Sequence, residues 1–142
     1  MTPFRCVAIE TATAASSVAA CNGDRTEILR LSDARSSSRE LYHAVTEVME
    51  RVELDMAALE SVAFGCGPGS FTGVRVAAAA AQAIAFAQQV PVCRVSSLAA
   101  LAVAAEQQSA RLPVAACLDA RMGEAYLGIY VRDSSGQLVP LV

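Results

Sequence analysis

The feature that most constrains the fold is an apolar helix that follows a glycine-rich loop. Residues 65–75 read GCGPGSFTGVR, and an alanine-dominated helical run continues to about residue 89. Apolar side chains cover nearly every face of this predicted helix, so it must be covered on all sides. One side can lie on a β-sheet, and the other needs a second layer or a partner subunit. The chain is 54% hydrophobic and has no Trp, so its core must be built from Ala, Val and Leu.

Strands and a second helix are predicted before this loop. The turn signal Asn22-Gly23 separates two strand-like runs, which predicts a three-stranded antiparallel meander at the start of the chain. Apolar residues at helical spacing predict an amphipathic helix over 37–52, and Ser37 with Glu40 fits a capping box. The predicted elements are strands 6–10, 16–21 and 26–31, helix 37–52, a helical turn from Asp55, and strand 61–65.

The elements after the apolar helix repeat the opening of the chain in outline. Both blocks begin with an apolar strand that ends at an acidic residue, followed by a short turn, a strand, a glycine turn and another strand. The predicted elements are strand 90–95, helix 96–108 capped by Ser96 or Ser97, and strands 112–119 and 124–133, followed by QLVPLV. We therefore expect a mixed α/β fold with a first lobe at 1–108 and the start of a second at 109–142. The boundary is expected within 106–113.

Charge and cysteine usage narrow the class of protein. The net charge is −3 and no Arg cluster is visible, so direct nucleic-acid binding is not favoured. The longest apolar stretch is 12 residues, and a membrane span needs about 20. The first ten residues, MTPFRCVAIE, carry a charge where a secretory signal peptide would have its apolar segment. The five cysteines form no CxxC pair, so we expect reduced thiols in a cytoplasmic protein, four of them buried in strands.

The glycine loop fits neither familiar nucleotide motif. The chain contains no Lys, which excludes a P-loop, and no acid follows at the spacing of a dinucleotide-binding motif. Three interpretations stay open: a strand-to-helix corner that needs Gly67 and Gly69, an anion site at the amides of 69–73, and an interface contact. Arg75 opposes the helix dipole unless an anion or an acidic partner lies near it. The candidate residues are Gly67, Pro68, Gly69, Ser70, Thr72 and Arg75.

Three other segments carry weaker signals. IETAT at 9–13 could hold a metal-bound phosphate, but a turn in which Thr11 and Thr13 cap backbone groups is favoured. His43 has no ligand or nucleophile at helical spacing and is expected on the solvated face of its helix. DARMGEAY at 119–126 could place two carboxylates for acid–base chemistry, but a salt-bridged hairpin is favoured.

Four segments together resemble the bacterial TsaB family, once called YeaZ. They are AIETATAASSVA, GCGPGSFTGVRVAAA, VPVCRVSSLAALA and LDARMGEAY, in the family's order across essentially the whole chain. The resemblance implies an actin-like, ribonuclease-H-type ATPase fold with two similar lobes. It also implies a non-catalytic partner of TsaD. With TsaE, such proteins help to transfer a threonylcarbamoyl group to the adenosine beside the anticodon of tRNA.

The resemblance also implies a pseudo-enzyme. Ser97 and Leu101 stand where the catalytic paralogue has its metal-binding histidine pair. Glu10 and Ala12 alter the phosphate hairpin of active members, and a Cβ at Ala12 obstructs backbone approach to a phosphate. No catalytic residue, metal or cofactor is therefore expected in this chain. Whether ATP or ADP lies at the joint with the partner stays open. The alternative is an ATPase or metallopeptidase-like enzyme of the same superfamily.

An interface is the last implication of the resemblance. Members of the family pair through their first two helices, forming homodimers in isolation and heterodimers with TsaD. They are expected to contact tRNA only as part of the complex. Candidate contacts are Tyr42, Val45, Met49, Ala79, Gln82 and Phe86. Family members usually continue well past this length, so the second lobe is expected to be truncated.

Overall fold

In the part of the chain that the structure describes, two β-sheets carry the fold, one of five strands and one of three. The computed structural model describes residues 4–31, 38–108 and 111–141. In chain order the elements are β1 Arg5–Glu10, β2 Ser17–Asn22, β3 Arg25–Arg30, α1 Ser38–Arg51, a 3-10 turn Met56–Ala58, β4 Ser61–Gly65, α2 Phe71–Gln88, β5 Val92–Val95, α3 Ser97–Gln107, β6 Val114–Arg121, β7 Glu124–Arg132 and β8 Leu138–Pro140. This order confirms the predicted mixed α/β fold.

The first sheet has the strand order β3-β2-β1-β4-β5. Strands β1 to β3 form the predicted antiparallel meander, and β4 and β5 add to it in parallel. The first hairpin turn differs by one residue from the prediction. Asn22 pairs with Arg25, so Gly23 and Asp24 form the turn, with the glycine at the first central position, where a tight hairpin needs φ > 0.

Helices α1 and α2 cover one face of this sheet. Val7 and Ile9 of β1 point to that face, together with their neighbours on β2 and β4. The predicted apolar stripe of α1 is confirmed, because its five residues are all buried in this core: Leu41, Val45, Val48, Met49 and Val52. Burying a side chain of this size stabilises the fold by about 1.5–3 kcal/mol. The capping box at Ser37 lies outside the described residues.

The second sheet is an antiparallel meander of β6, β7 and β8, as the repeat predicts. Helix α3 covers one face, with Leu98 and Ala102 against Val114, Ala116 and Tyr130. Ser96 is the N-cap of α3, which settles the two predicted alternatives. The division into lobes at 1–108 and 109–142 stays a prediction. Helix α3 precedes that boundary and nevertheless packs chiefly on the second sheet.

The cysteine prediction is largely wrong. All five thiols are free, but only Cys6 is buried, Cys21 is half-buried, and Cys66, Cys93 and Cys117 are exposed. The reason is that Cys93 lies on an edge strand and Cys117 points to the face of the second sheet opposite α3. Burial raises the pKa of the Cys6 thiol. Among the residues described, no helix has the length and apolar character that a bilayer crossing requires.

Candidate functional site

The glycine loop is a corner between β4 and α2 that fits closely against the loop after β1. The Ser70 N–H donates to the carbonyl oxygen of Ala12 at 2.6 Å, and the Ser70 hydroxyl accepts from the Gly73 N–H at 3.3 Å. Gly67 has a φ of 87°, and a Cβ on Gly69 would overlap the Ala12 carbonyl. The structural-corner interpretation therefore has a physical basis. Two of the backbone amides proposed to bind an anion, those of Ser70 and Gly73, therefore already donate hydrogen bonds within the chain.

Thr11 fixes the other side of this corner. Its buried hydroxyl donates to the carbonyl oxygen of Gly73 at 2.6 Å, so its partner lies in the first turn of α2. A Cβ on Gly73 would overlap the Thr11 carbonyl. Thr11 therefore binds a backbone group, as predicted, although the group lies on a distant element. Thr13 takes part through its backbone: its carbonyl oxygen accepts a hydrogen bond from the Ser16 hydroxyl.

Glu10 has a structural role that sequence reasoning missed. One carboxylate oxygen accepts from the Ala12 N–H at 2.6 Å, and the other accepts from the Ser97 hydroxyl at 2.8 Å. Ser97 opens α3, where the helix dipole favours a negative charge. Glu10 therefore joins the end of β1 to the start of α3. The terminal acid of the first strand was the available signal, but no sequence spacing connects it to Ser97.

A cleft of about 1290 Å3 lies beside these contacts. Its walls are the loop after β1, the start of α2, the start of α3 and the end of β6. Glu10 and Asp119 contribute two carboxylates to the described lining, and Arg121 contributes its one guanidinium. Two carboxylates against one guanidinium group disfavour the binding of a polyphosphate, because a polyphosphate needs several cationic side chains or backbone N–H donors. Among the described residues, no three His, Cys, Asp or Glu side chains are placed to hold a metal ion.

The hairpin at 119–126 is stabilised differently from the prediction. The Asp119 carboxylate accepts from the backbone N–H of Arg121 at 2.7 Å. None of the ion pairs between described residues joins Asp119, Arg121 and Glu124. The predicted salt-bridged hairpin is therefore wrong, because the carboxylate caps the turn backbone instead.

The exposed side of α2 carries the second candidate region. Phe71, Arg75, Ala79, Gln82 and Phe86 recur at helical spacing, and all five are exposed. We refer to these five residues as the α2 stripe. The Arg75 guanidinium carbon lies 3.5 Å from the centroid of the Phe71 ring, a cation–π contact. None of the ion pairs within the described chain uses Arg75.

A groove of about 400 Å3 between α1 and α2 connects the two sets of candidate residues. Thr72 and Arg75, from the loop set, line it together with Tyr42 and Ala79, from the interface set. The rest of its lining is apolar. The loop and the predicted interface therefore share one surface, which their separation in the sequence does not reveal.

Two of the predicted interface residues are corrected by the structure. Val45 and Met49 are buried in the chain's own core, because the apolar stripe of α1 faces the sheet. Tyr42, Ala79, Gln82 and Phe86 are exposed, and Phe86 is the extreme case at 88%. His43 is exposed, as predicted, on the face of α1 away from the core.

Comparison with known proteins identifies the family. The family model described as TsaD, tRNA N6-adenosine threonylcarbamoyltransferase, matches residues 31–136. The chain belongs to this family, on its TsaB (YeaZ) branch. It is 39% identical to a Haemophilus influenzae protein named tRNA threonylcarbamoyladenosine biosynthesis protein TsaB, over 89% of this chain and 54% of the relative. The Escherichia coli protein of the same name is 35% identical, over 94% of this chain and 58% of the relative.

Solved structures agree on the fold. YeaZ from Pseudomonas aeruginosa superimposes with a TM-score of 0.89 at 36% identity, over 98% of this chain and 65% of that one. The actin-like, ribonuclease-H-like fold expected from the resemblance is thereby confirmed, as is the role of the family in tRNA threonylcarbamoyladenosine biosynthesis. The chain spans little more than half the length of the two curated relatives.

Proposed function

We propose that the chain is a non-catalytic scaffold subunit that pairs with TsaD. With TsaE, the complex transfers a threonylcarbamoyl group to the adenosine next to the anticodon of tRNA. The observation that carries the proposal is the α2 stripe. Phe86 and Phe71 are highly exposed on a helix whose other side is buried, and exposed apolar surface of this kind is typical of a protein interface.

The interface that we propose consists of Tyr42, Ala79, Gln82 and Phe86, with Arg75 at one end. The same surface would serve a homodimer when TsaD is absent. Arg75 has no carboxylate partner within the described chain, so an acidic group on the partner would complete its contacts. The glycine loop then positions the first turn of α2 for that contact.

The non-catalytic part of the proposal is supported by the cleft. Glu10 is held by Ala12 and Ser97, and the lining has more carboxylates than guanidinium groups. We assign no cofactor to this chain, and any ATP or ADP in the complex would lie at the joint with TsaD. Transfer RNA would be met through the complex. The free cysteines fit a reducing compartment, so we place the complex in the cytoplasm.

Co-purification with the TsaD protein of the same organism tests the pairing. Phe86→Glu should weaken the complex at least about tenfold, because the introduced charge must be desolvated where an exposed aromatic ring would make an apolar contact. Ile28→Glu is the matched control, since Ile28 is also exposed but pairs with Ala19 on the face of the first sheet opposite α1 and α2, and it should leave binding unchanged. If no complex forms with the unaltered chain, or if both variants bind equally well, the proposed pairing is wrong.

Arg75→Ala separates an interface role from a purely structural one. We expect the TsaD complex to weaken by about tenfold while the unfolding temperature of the isolated chain stays the same. Arg94→Ala, an exposed arginine on β5, is the control. Equal losses of binding and of stability on Arg75→Ala would show that the loop is only a structural corner. The non-catalytic claim has a separate test, which is ATP turnover by the chain alone, and turnover above background would contradict it.

A further inference from the structure

The described residues form two packing units. The first unit is the five-stranded sheet with α1 and α2, and the second unit is the three-stranded sheet with α3. Helix α3 packs on β6, β7 and β8, although it directly follows β5 of the first unit in the chain. The start of α3 is therefore the place where the orientation of the second unit relative to the first is set.

Ser97, the first residue of α3, is held by the first unit from two sides. Its N–H donates to the carbonyl oxygen of Gly67 at 2.9 Å, and its hydroxyl donates to the Glu10 carboxylate at 2.8 Å. Ser97 is only 5% exposed, so water competes poorly for either hydrogen bond. One hydrogen bond would fix a point on the helix and leave its direction free. Two hydrogen bonds, from the glycine loop and from the end of β1, constrain the direction as well.

The backbone of the first unit leaves space for the Glu10 carboxylate at Gly65. The two residues are neighbours, because each follows one member of the pair Ile9 and Phe64 on the parallel strands β1 and β4. A Cβ on Gly65 would lie 2.0 Å from the nearer carboxylate oxygen of Glu10. The φ of Gly65 lies outside the left-handed region that favours glycine. The space that the carboxylate needs, and not the backbone conformation, therefore accounts for a glycine at this position.

The same carboxylate holds the loop that supports the start of α2. Its other oxygen accepts from the Ala12 N–H at 2.6 Å, and the Ala12 carbonyl oxygen accepts from the N–H of Ser70, the N-cap of α2, at 2.6 Å. We propose that Glu10 is a positioning residue. Its carboxylate, seated over Gly65, fixes the start of α3 relative to the start of α2 and so sets the orientation of the second unit relative to the first. This inference does not depend on pairing with TsaD.

Residual dipolar couplings of the backbone amides test the proposal, because they report the relative orientation of the two units. One alignment tensor should fit both units of the unaltered chain. In Glu10→Ala the two units should require different tensors, and the Ala12 amide should exchange hydrogen at least about tenfold faster. Glu10→Gln keeps the side-chain length and one acceptor, so it should give a smaller difference between the tensors. Glu27→Ala, which removes an exposed carboxylate of β3, is the control and should retain one tensor.

Gly65→Ala tests the space at this position. It should displace the carboxylate and reproduce the effects of Glu10→Ala although Glu10 is still present. In the Glu10→Ala background it should change nothing further, because the overlapping group is gone. The proposal is wrong if one tensor fits Glu10→Ala, if the unaltered chain already needs two, or if the effects of Gly65→Ala are absent or add to those of Glu10→Ala. If Glu10→Ala does not fold, Glu10→Gln and Gly65→Ala decide by the same criteria.

Discussion

The two sheets begin with the same three-stranded meander and differ in what covers them. In the first sheet β1 is central, two helices bury one face, and the other face is lined mainly by small side chains such as Ala8, Ala19 and Ala63. In the second sheet β6 is an edge strand, one shorter helix covers one face, and the other carries exposed Leu127. Within the described residues, one local pattern thus belongs to a sheet that β4 and β5 extend in one place and to a three-stranded sheet in the other.

Replacing one buried leucine by alanine in each of the two cores is the strongest test of this contrast. Leu41 lies among nineteen buried apolar residues of the described chain, and Leu98 lies among five. We expect Leu41→Ala to lower the free energy of unfolding by about 2–5 kcal/mol, because the substitution removes buried apolar contacts and leaves a cavity. Leu98→Ala should lower the free energy of unfolding by less, and urea denaturation measures both losses. Equal losses would mean that the core of the second sheet contributes as much to stability as the core of the first.

Charge reversal of the two exposed surfaces sharpens the comparison. Phe86→Glu should weaken TsaD binding at least about tenfold, because Phe86 lies on the α2 stripe. Leu127→Glu should leave TsaD binding unchanged, because Leu127 is exposed on β7 of the second sheet, whereas α2 packs on the first sheet. Titration of both variants with TsaD gives the two affinities. Equal weakening would show that TsaD does not distinguish the two surfaces.

A smaller effect is expected at the corner of the first sheet. Thr11→Val keeps the side-chain shape and removes the hydrogen bond to the Gly73 carbonyl. We expect a loss of about 1 kcal/mol in the free energy of unfolding, the net value of one buried hydrogen bond. Thr13→Val is the control, because the hydroxyl of Thr13 makes no hydrogen bond to any described residue. If the two variants are equally stable, the Thr11 contact does not hold the loops together.

The smallest expected effect is on the stability of the chain at low pH. Glu106 of α3 pairs with Arg132 of β7, and a side-chain hydrogen bond from that guanidinium lowers the pKa of the Glu106 carboxyl. A carboxyl with a lowered pKa stabilises the fold above its unfolded pKa, and this contribution is lost as pH falls through the folded value. As the pH falls below the ordinary titration range of a glutamate, the unaltered chain should therefore lose slightly more stability than Glu106→Gln. Thermal melts at several pH values measure the difference, and parallel profiles would show that the pair contributes nothing.

Most element positions could be predicted from the sequence, because they depend on local periodicity. Strand β4 matches its predicted limits, and the helices match within about one residue. The failures share a cause. The predicted interface includes Val45 and Met49, but both belong to the stripe that faces the sheet. Cys93 and Cys117 are predicted to be buried, but both are exposed. Periodicity shows that a residue is apolar and regularly spaced, but the layer that covers it is a tertiary property.

By itself, the sequence determined the alternation of strands and helices, the repeat of the opening meander, and the family. It did so because hydrophobic period, turn residues and the GPGSFTGVR run are all local in the chain. Only the tertiary structure decided that Glu10 binds Ser97, that Thr11 binds α2, and that Val45 and Met49 are buried. These contacts join residues more than sixty positions apart, and they depend on how the sheets and helices pack.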